Sequence, residues 1–217
     1  MDALHITRNF IIARNPALLW IAVMLISACA TPESSRAPAR VEIQDEVGFT
    51  IVEAARINNA VRMDYDQALI LLEQGQLEAG ISILESVAEA APELIAPHID
   101  LGIAYHRSGD LEAAESSLLT ALDLNPGHPI AHNELGIIFR KSGRFAKARQ
   151  SYEAALAFYP GYHYARRNLA VLCDLYLADL NCALENYEAY MATVPGDDKA
   201  SMWISDIRLR LGQKENL

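Results

Sequence analysis

Positive charge is scarce in this 217-residue chain: 18 Lys and Arg stand against 28 Asp and Glu, a formal net charge of −10. An acidic surface repels phosphate backbones and anionic lipid headgroups, which excludes nucleic acid as a partner and leaves no charge-driven route to a membrane. Aromatic residues are also few, at 7% against a hydrophobic fraction of 52% that alanine lifts. That balance suits thin, closely packed helices more than thick sheets. There is no glycine-rich phosphate loop, no nucleophile elbow and no zinc-protease histidine pair, so neither an enzyme nor a bound cofactor is expected. Carboxylates such as Asp110, Glu112 and Glu115 read as solvated helix faces. Cysteine is limited to three residues, Cys29, Cys173 and Cys182.

The apolar run from Ala17 to Ala28 is too short to span a bilayer, which takes about 20 residues, but suits a signal-peptide core behind Arg8 and Arg14. It ends in Ile26-Ser27-Ala28-Cys29. These four residues resemble the bacterial lipobox, in which small residues precede a cysteine that is lipidated and becomes the new N-terminus. The resemblance implies that residues 1–28 are removed and that Cys29 carries acyl chains. Ala30 stands where an aspartate would retain such a protein in the inner membrane, so a Gram-negative host would export it to the periplasmic face of the outer membrane. Several chains on one residue anchor firmly, each buried CH₂ contributing about 0.8 kcal/mol. Residues 29–41, rich in Pro, Ser and Ala, read as a tether. The lead-in over 42–60, with Ile43, Val47, Phe49, Ile51 and Val52, suits either a short helix or an extended piece lying on the first repeat.

Repetition begins at residue 61. Pro92, Pro126 and Pro160 are 34 residues apart, Gly75, Gly109 and Gly143 keep the same spacing, and Pro195 comes after a further 35. A glycine takes the turn between two helices at little steric cost, and a proline after the second stops it. Slots recur with the period: Leu101-Gly102, Leu135-Gly136 and Leu169-Ala170; Tyr105 and Phe139; Ala114, Ala148 and Ala183; Leu118, Tyr152 and Tyr187; Ala121 and Ala155. A 34-residue unit of this pattern resembles the tetratricopeptide repeat (TPR) family. The resemblance covers residues 61–195, with units starting at Val61, Ile95, Pro129 and His163. It implies an all-α, superhelical TPR solenoid of about four helix-turn-helix repeats, in which Gly102 would face Ala114 and Gly136 would face Ala148.

The first and fourth units depart from the pattern. Unit one has Gln67-Ala68 for Leu-Gly and Gly80 for alanine; unit four has Tyr190 in a small slot and Leu177-Ala178 where the turn glycine belongs. Residues 196–217 read as a capping helix and tail: Asp197 or Asp198 can cap a helix to about Leu211, with Trp203, Ile204, Ile207 and Leu211 on one side. Cys173 and Cys182 either pair in an oxidising compartment or pack unpaired; both stay open.

In the TPR family the first helices of the units line a concave groove. By that resemblance Ile99, Ile103, His106, Asn133, Ile137, Arg140, Arg167 and Val171 should line it here, a mixture suited to a protein or peptide segment of an envelope assembly. A basic cluster of Arg140, Lys141, Arg144, Lys147, Arg149, Arg166 and Arg167 either attracts an acidic partner or solubilises the helices. The expected function is a membrane-anchored TPR adaptor, with a pilus-secretin helper, an accessory of an energy-coupling system or a hydrolase scaffold all open. The alternative is a small periplasmic metal-binding protein or enzyme using the histidines between His98 and His163. His98 and His132 hold a slot that is usually aromatic in the family, and Pro129 breaks the register that His128 and His132 would need to chelate.

Overall fold

Among the described residues, every helix but the seventh ends just before a glycine or a proline of the sequence. The computed structural model describes residues 40–44, 48–52 and 58–212. Strands β1 (Arg40–Gln44) and β2 (Gly48–Val52) come first, then α1 (Asn59–Glu73), α2 (Leu77–Ala90), α3 (Ile95–Ser108), α4 (Leu111–Leu124), α5 (Pro129–Lys141), α6 (Phe145–Phe158), α7 (His163–Leu175), α8 (Leu180–Thr193) and α9 (Asp198–Arg210). The segment expected to be a signal peptide, Cys29 and nearly all of the expected tether lie outside the described residues. Arg40 and Val41, expected to end the tether, belong to β1 instead. The lead-in contains the antiparallel hairpin β1–β2, with Arg40 opposite Val52 and Gln44 opposite Gly48. Its content of Val, Ile, Phe and Thr favours strand over helix. No helix among the described residues is long and apolar enough to cross a membrane.

Each even helix ends two residues before a proline, and the C-caps between them, Ala91, Asn125, Tyr159 and Val194, are all pushed out of the α region by the ring that comes next. Gly75, Gly109 and Gly143 make the turns within the first three units at φ of 78°, 94° and 73°. In the fourth unit Ala178 takes this place, at φ 52°, a conformation that costs a residue with a Cβ about 1–2 kcal/mol. The extra residue is absorbed here. Gln76, Asp110 and Arg144 donate backbone N–H bonds to Leu71, Tyr105 and Phe139, five residues back, whereas Asp179 donates to Cys173, six back. A disulfide between Cys173 and Cys182, with Cα atoms 5.9 Å apart, spans this irregular turn and answers the question the thiols left open.

The recurring slots build the core. Leu118 and Tyr152 are fully buried and Tyr187 nearly so; Ala114, Ala148, Ala183, Ala121 and Ala155 are fully buried too. The residue seated on each glycine is not the alanine expected. A Cβ added at Gly102 would lie 2.5 Å from Leu118 Cγ, and one at Gly136 would run into the Tyr152 ring. Gly102 and Gly136 therefore make room for the bulky residue of the second helix, which lets the helices close up. Unit one exchanges the small pair: Ala68 holds the glycine slot and Gly80 the alanine slot, where Leu72 fills the space a Cβ would need. Tyr190 is accommodated in its small slot because its hydroxyl donates to Asp197 at 2.9 Å, the residue that caps α9 through the N–H groups of Lys199 and Ala200. The capping helix buries Ala200, Ile204 and Ile207 and half-buries Trp203 and Leu211.

Candidate partner-binding groove

Helices α3, α5 and α7 touch one another across the repeats, so the odd helices form the inner row of the stack. Two of the residues expected to line that row are buried instead: Ile99 is 6% exposed and Asn133 2%. Asn133 is a joint between repeats, its Oδ1 accepting from Asn168 Nδ2 at 2.9 Å and its Nδ2 donating to Glu134 Oε1 at 3.0 Å. The same kind of joint recurs along the row. The hydroxyl of Tyr65 donates to Asp100, and the Arg167 guanidinium lies 5.8 Å from the centre of the Trp203 ring. In each case the partner sits one repeat period plus one or two residues further on, a rule that would have pointed to Asp100, Asn168 and Trp203, which sequence reasoning did not connect. A second joint runs beside it: Arg140 Nη1 donates to the Tyr176 hydroxyl at 3.4 Å, and Arg210 donates to Asp174 at 2.8 Å.

The other expected residues remain at the surface of the row. Ile103, Ile137 and Val171 are half-buried, pack on the core from the same slot of three successive units and form an apolar strip. His106, Arg140 and Arg167 are half-buried beside them. Arg140 Nε, Arg167 Nε and His106 Nε2 are shut off from water with no hydrogen-bond partner in the protein, as is the Tyr152 hydroxyl. Burial, with Lys141 and Arg140 nearby, pulls the His106 pKa down, so at neutral pH it is a neutral ring. Burial raises Tyr152 to about 12 while Arg140 pulls the other way, leaving the phenol protonated.

The carboxylates of the row are satisfied by the protein itself: Asp100 by Tyr65, Glu134 by Asn133, Asp174 by Arg210 and Asp197 by the start of α9. Burial raises the Glu134 pKa against the pull of that amide. Much of the basic cluster is spent outside the row. Arg144 grips Glu115 with two bonds of 2.9 and 2.5 Å, so Glu115 is an ion-pair partner and not the solvated carboxylate expected, and this bond holds its pKa down. Arg149 bonds Glu153 at 2.8 Å and Asp179 at 3.2 Å, and Arg166 bonds Asn186 at 3.2 Å.

His128 and His132 serve the structure. His128, 3% exposed, caps α5 by accepting from the Ala131 N–H at 3.4 Å, and His132 stacks on Phe158 with its Nε2 2.8 Å from the Pro126 carbonyl. Among the described residues, the group whose potential metal donors converge is Cys173, Asp179 and Cys182, and its two sulfurs are consumed by the disulfide.

Residues 99–163 match the tetratricopeptide repeat family model. No curated protein gives a sequence match. Among solved structures, MamA from Desulfovibrio magneticus RS-1 is similar over 73% of this chain and 89% of its own, at 20% identity and a TM-score of 0.64. Pseudomonas aeruginosa pilF is similar over 71% of this chain and 70% of its own, at 18% identity and a TM-score of 0.64. A thermophilic TPR protein of Thermus thermophilus is similar over 69% of this chain and 81% of its own, at 24% identity and a TM-score of 0.59. The helical array described here has the fold of a tetratricopeptide-repeat solenoid, and its middle units match the repeat family in sequence.

Proposed function

We propose that this protein is a lipid-anchored adaptor: acyl chains on Cys29 hold it at the periplasmic face of the outer membrane, and the inner row of its solenoid captures a protein partner in an envelope assembly. The observation that carries the adaptor reading is the apolar strip of Ile103, Ile137 and Val171 beside the unpaired nitrogens of His106, Arg140 and Arg167. An apolar strip and dehydrated donors side by side are what an extended or helical segment needs for burial and hydrogen bonding together. The anchor rests on Ile26-Ser27-Ala28-Cys29 behind the apolar run, and a disulfide suits an oxidising compartment outside the cytoplasm.

A photoactivatable amino acid placed at Ile137 tests the adaptor reading in intact cells, with the same group at Glu112, exposed on an outer helix, as control. Discrete adducts with another protein from position 137 and none from 112 are expected. Adducts from both positions alike, or from neither, overturn the inner row as the working surface.

A further inference from the structure

We infer that the segment captured by the inner row is acidic: carboxylates pair with Arg140 and Arg167, and an aliphatic side chain between them lies on Ile103, Ile137 and Val171. This rests on the adaptor reading and adds the chemistry of the partner. Three observations carry it. Acidic residues outnumber basic ones by 28 to 18, so ready partners for every arginine exist within the chain. Arg144, Arg149, Arg208 and Arg210 have carboxylate partners. Arg140 and Arg167 have none; each keeps a buried Nε without an acceptor. A donor held dry and unpaired costs free energy, which an incoming acceptor returns.

The second observation is how these guanidiniums are held. Arg140 lies 5.7 Å from the centre of the Tyr176 ring and Arg167 5.8 Å from that of Trp203. An aromatic face orients the planar cation without using its edge; at Arg140 the Tyr176 hydroxyl takes one Nη1 bond of 3.4 Å, and the remaining N–H groups of both guanidiniums stay available for a carboxylate. The third is that the carboxylates nearby, Asp100, Glu134, Asp174 and Asp197, are engaged by the chain's own donors. Beside the Tyr152 hydroxyl and the His106 ring nitrogen, which can act either way, the unmet groups of the row among the described residues are guanidinium donors, which selects a carboxylate-bearing segment over a basic one.

The test uses the full chain, solubilised in detergent and immobilised. Two fluorescein-labelled pools of random nonapeptides are passed over it, one built from Glu, Leu, Ser and Gly and the other with Gln replacing Glu. The Glu pool should be retained at least about tenfold better than the Gln pool, the usual scale for charge-assisted bonds. Arg140→Gln with Arg167→Gln should abolish that preference with the helical circular dichroism unchanged, and Glu78→Gln with Glu112→Gln, exposed on outer helices, should keep it. Equal retention of the two pools overturns the inference, as does a preference that survives the arginine substitutions. Should neither pool be retained while Ile137 still crosslinks a protein, the acidic partner is wrong and the adaptor stands; if both experiments fail, the adaptor reading falls as well.

Discussion

Leu118→Ala, alone and combined with Gly102→Ala, tests the packing rule of the repeats. Leu118 is fully buried, and its Cγ and Cδ carbons occupy the space over Gly102, where a Cβ would come within 2.5 Å. Truncation removes three carbons at about 0.8 kcal/mol each, and the rigid helix pair leaves a cavity that brings the total to about 3–4 kcal/mol. Gly102→Ala alone gains helix propensity of about 1 kcal/mol but forces overlap with Leu118 that costs about 1–3 kcal/mol. Together the two changes cancel part of each other, because the new methyl enters the space the leucine vacates. Urea denaturation monitored by circular dichroism should give a double variant more stable than the sum of the single losses by about 1 kcal/mol or more. Additivity within about 0.5 kcal/mol would refute the claim that the glycine exists to seat the bulky residue of the second helix.

Four further outcomes are expected. Cys29→Ser should release the protein from membranes on fractionation, and a variant that stays in the detergent phase at full-length mobility would mean another kind of anchor. His128 is held near pKa 4 by burial, with His132 adding to the effect, against an ordinary value of 6.5. The unfolded chain therefore takes up a proton first, and stability is lost as pH falls from 6.5 towards 4, by about 3 kcal/mol. His128→Asn retains a capping side chain and should flatten that slope in denaturation curves measured across this window. Ala178→Gly should raise the urea midpoint, since relief of about 1–2 kcal/mol at φ 52° exceeds the backbone entropy glycine adds, about 0.5–1 kcal/mol; a lower midpoint would mean the turn is unstrained. Cys173→Ala with Cys182→Ala should lower stability by about 2–3 kcal/mol, the scale for a short closed loop, and an unchanged midpoint would show that the clasp contributes nothing.

The 34-residue period, the prolines and the small and bulky slots determined the helical solenoid without any tertiary information, because each records a local requirement: a left-handed turn, a stop, a close approach. For the same reason the capping helix was legible, with its cap narrowed to Asp197 or Asp198, as was the apolar strip of Ile103, Ile137 and Val171; the structure puts the cap at Asp197. Tertiary structure alone decided which polar residues of the row are free. Asn133 reads as a lining residue in sequence, yet Asn168 from the next unit draws it into a buried joint. Glu115 and Arg144, both surface charges by position, find each other across two units. Arg140 and Arg167 look no different from Arg144 and Arg149 in the sequence. What separates them is that hydrogen-bond partners here lie a full repeat away, so whether a donor is satisfied depends on how successive units stack and cannot be read within one. The disulfide has the same origin, since an inserted residue bends the fourth turn and leaves the Cα atoms of Cys173 and Cys182 5.9 Å apart.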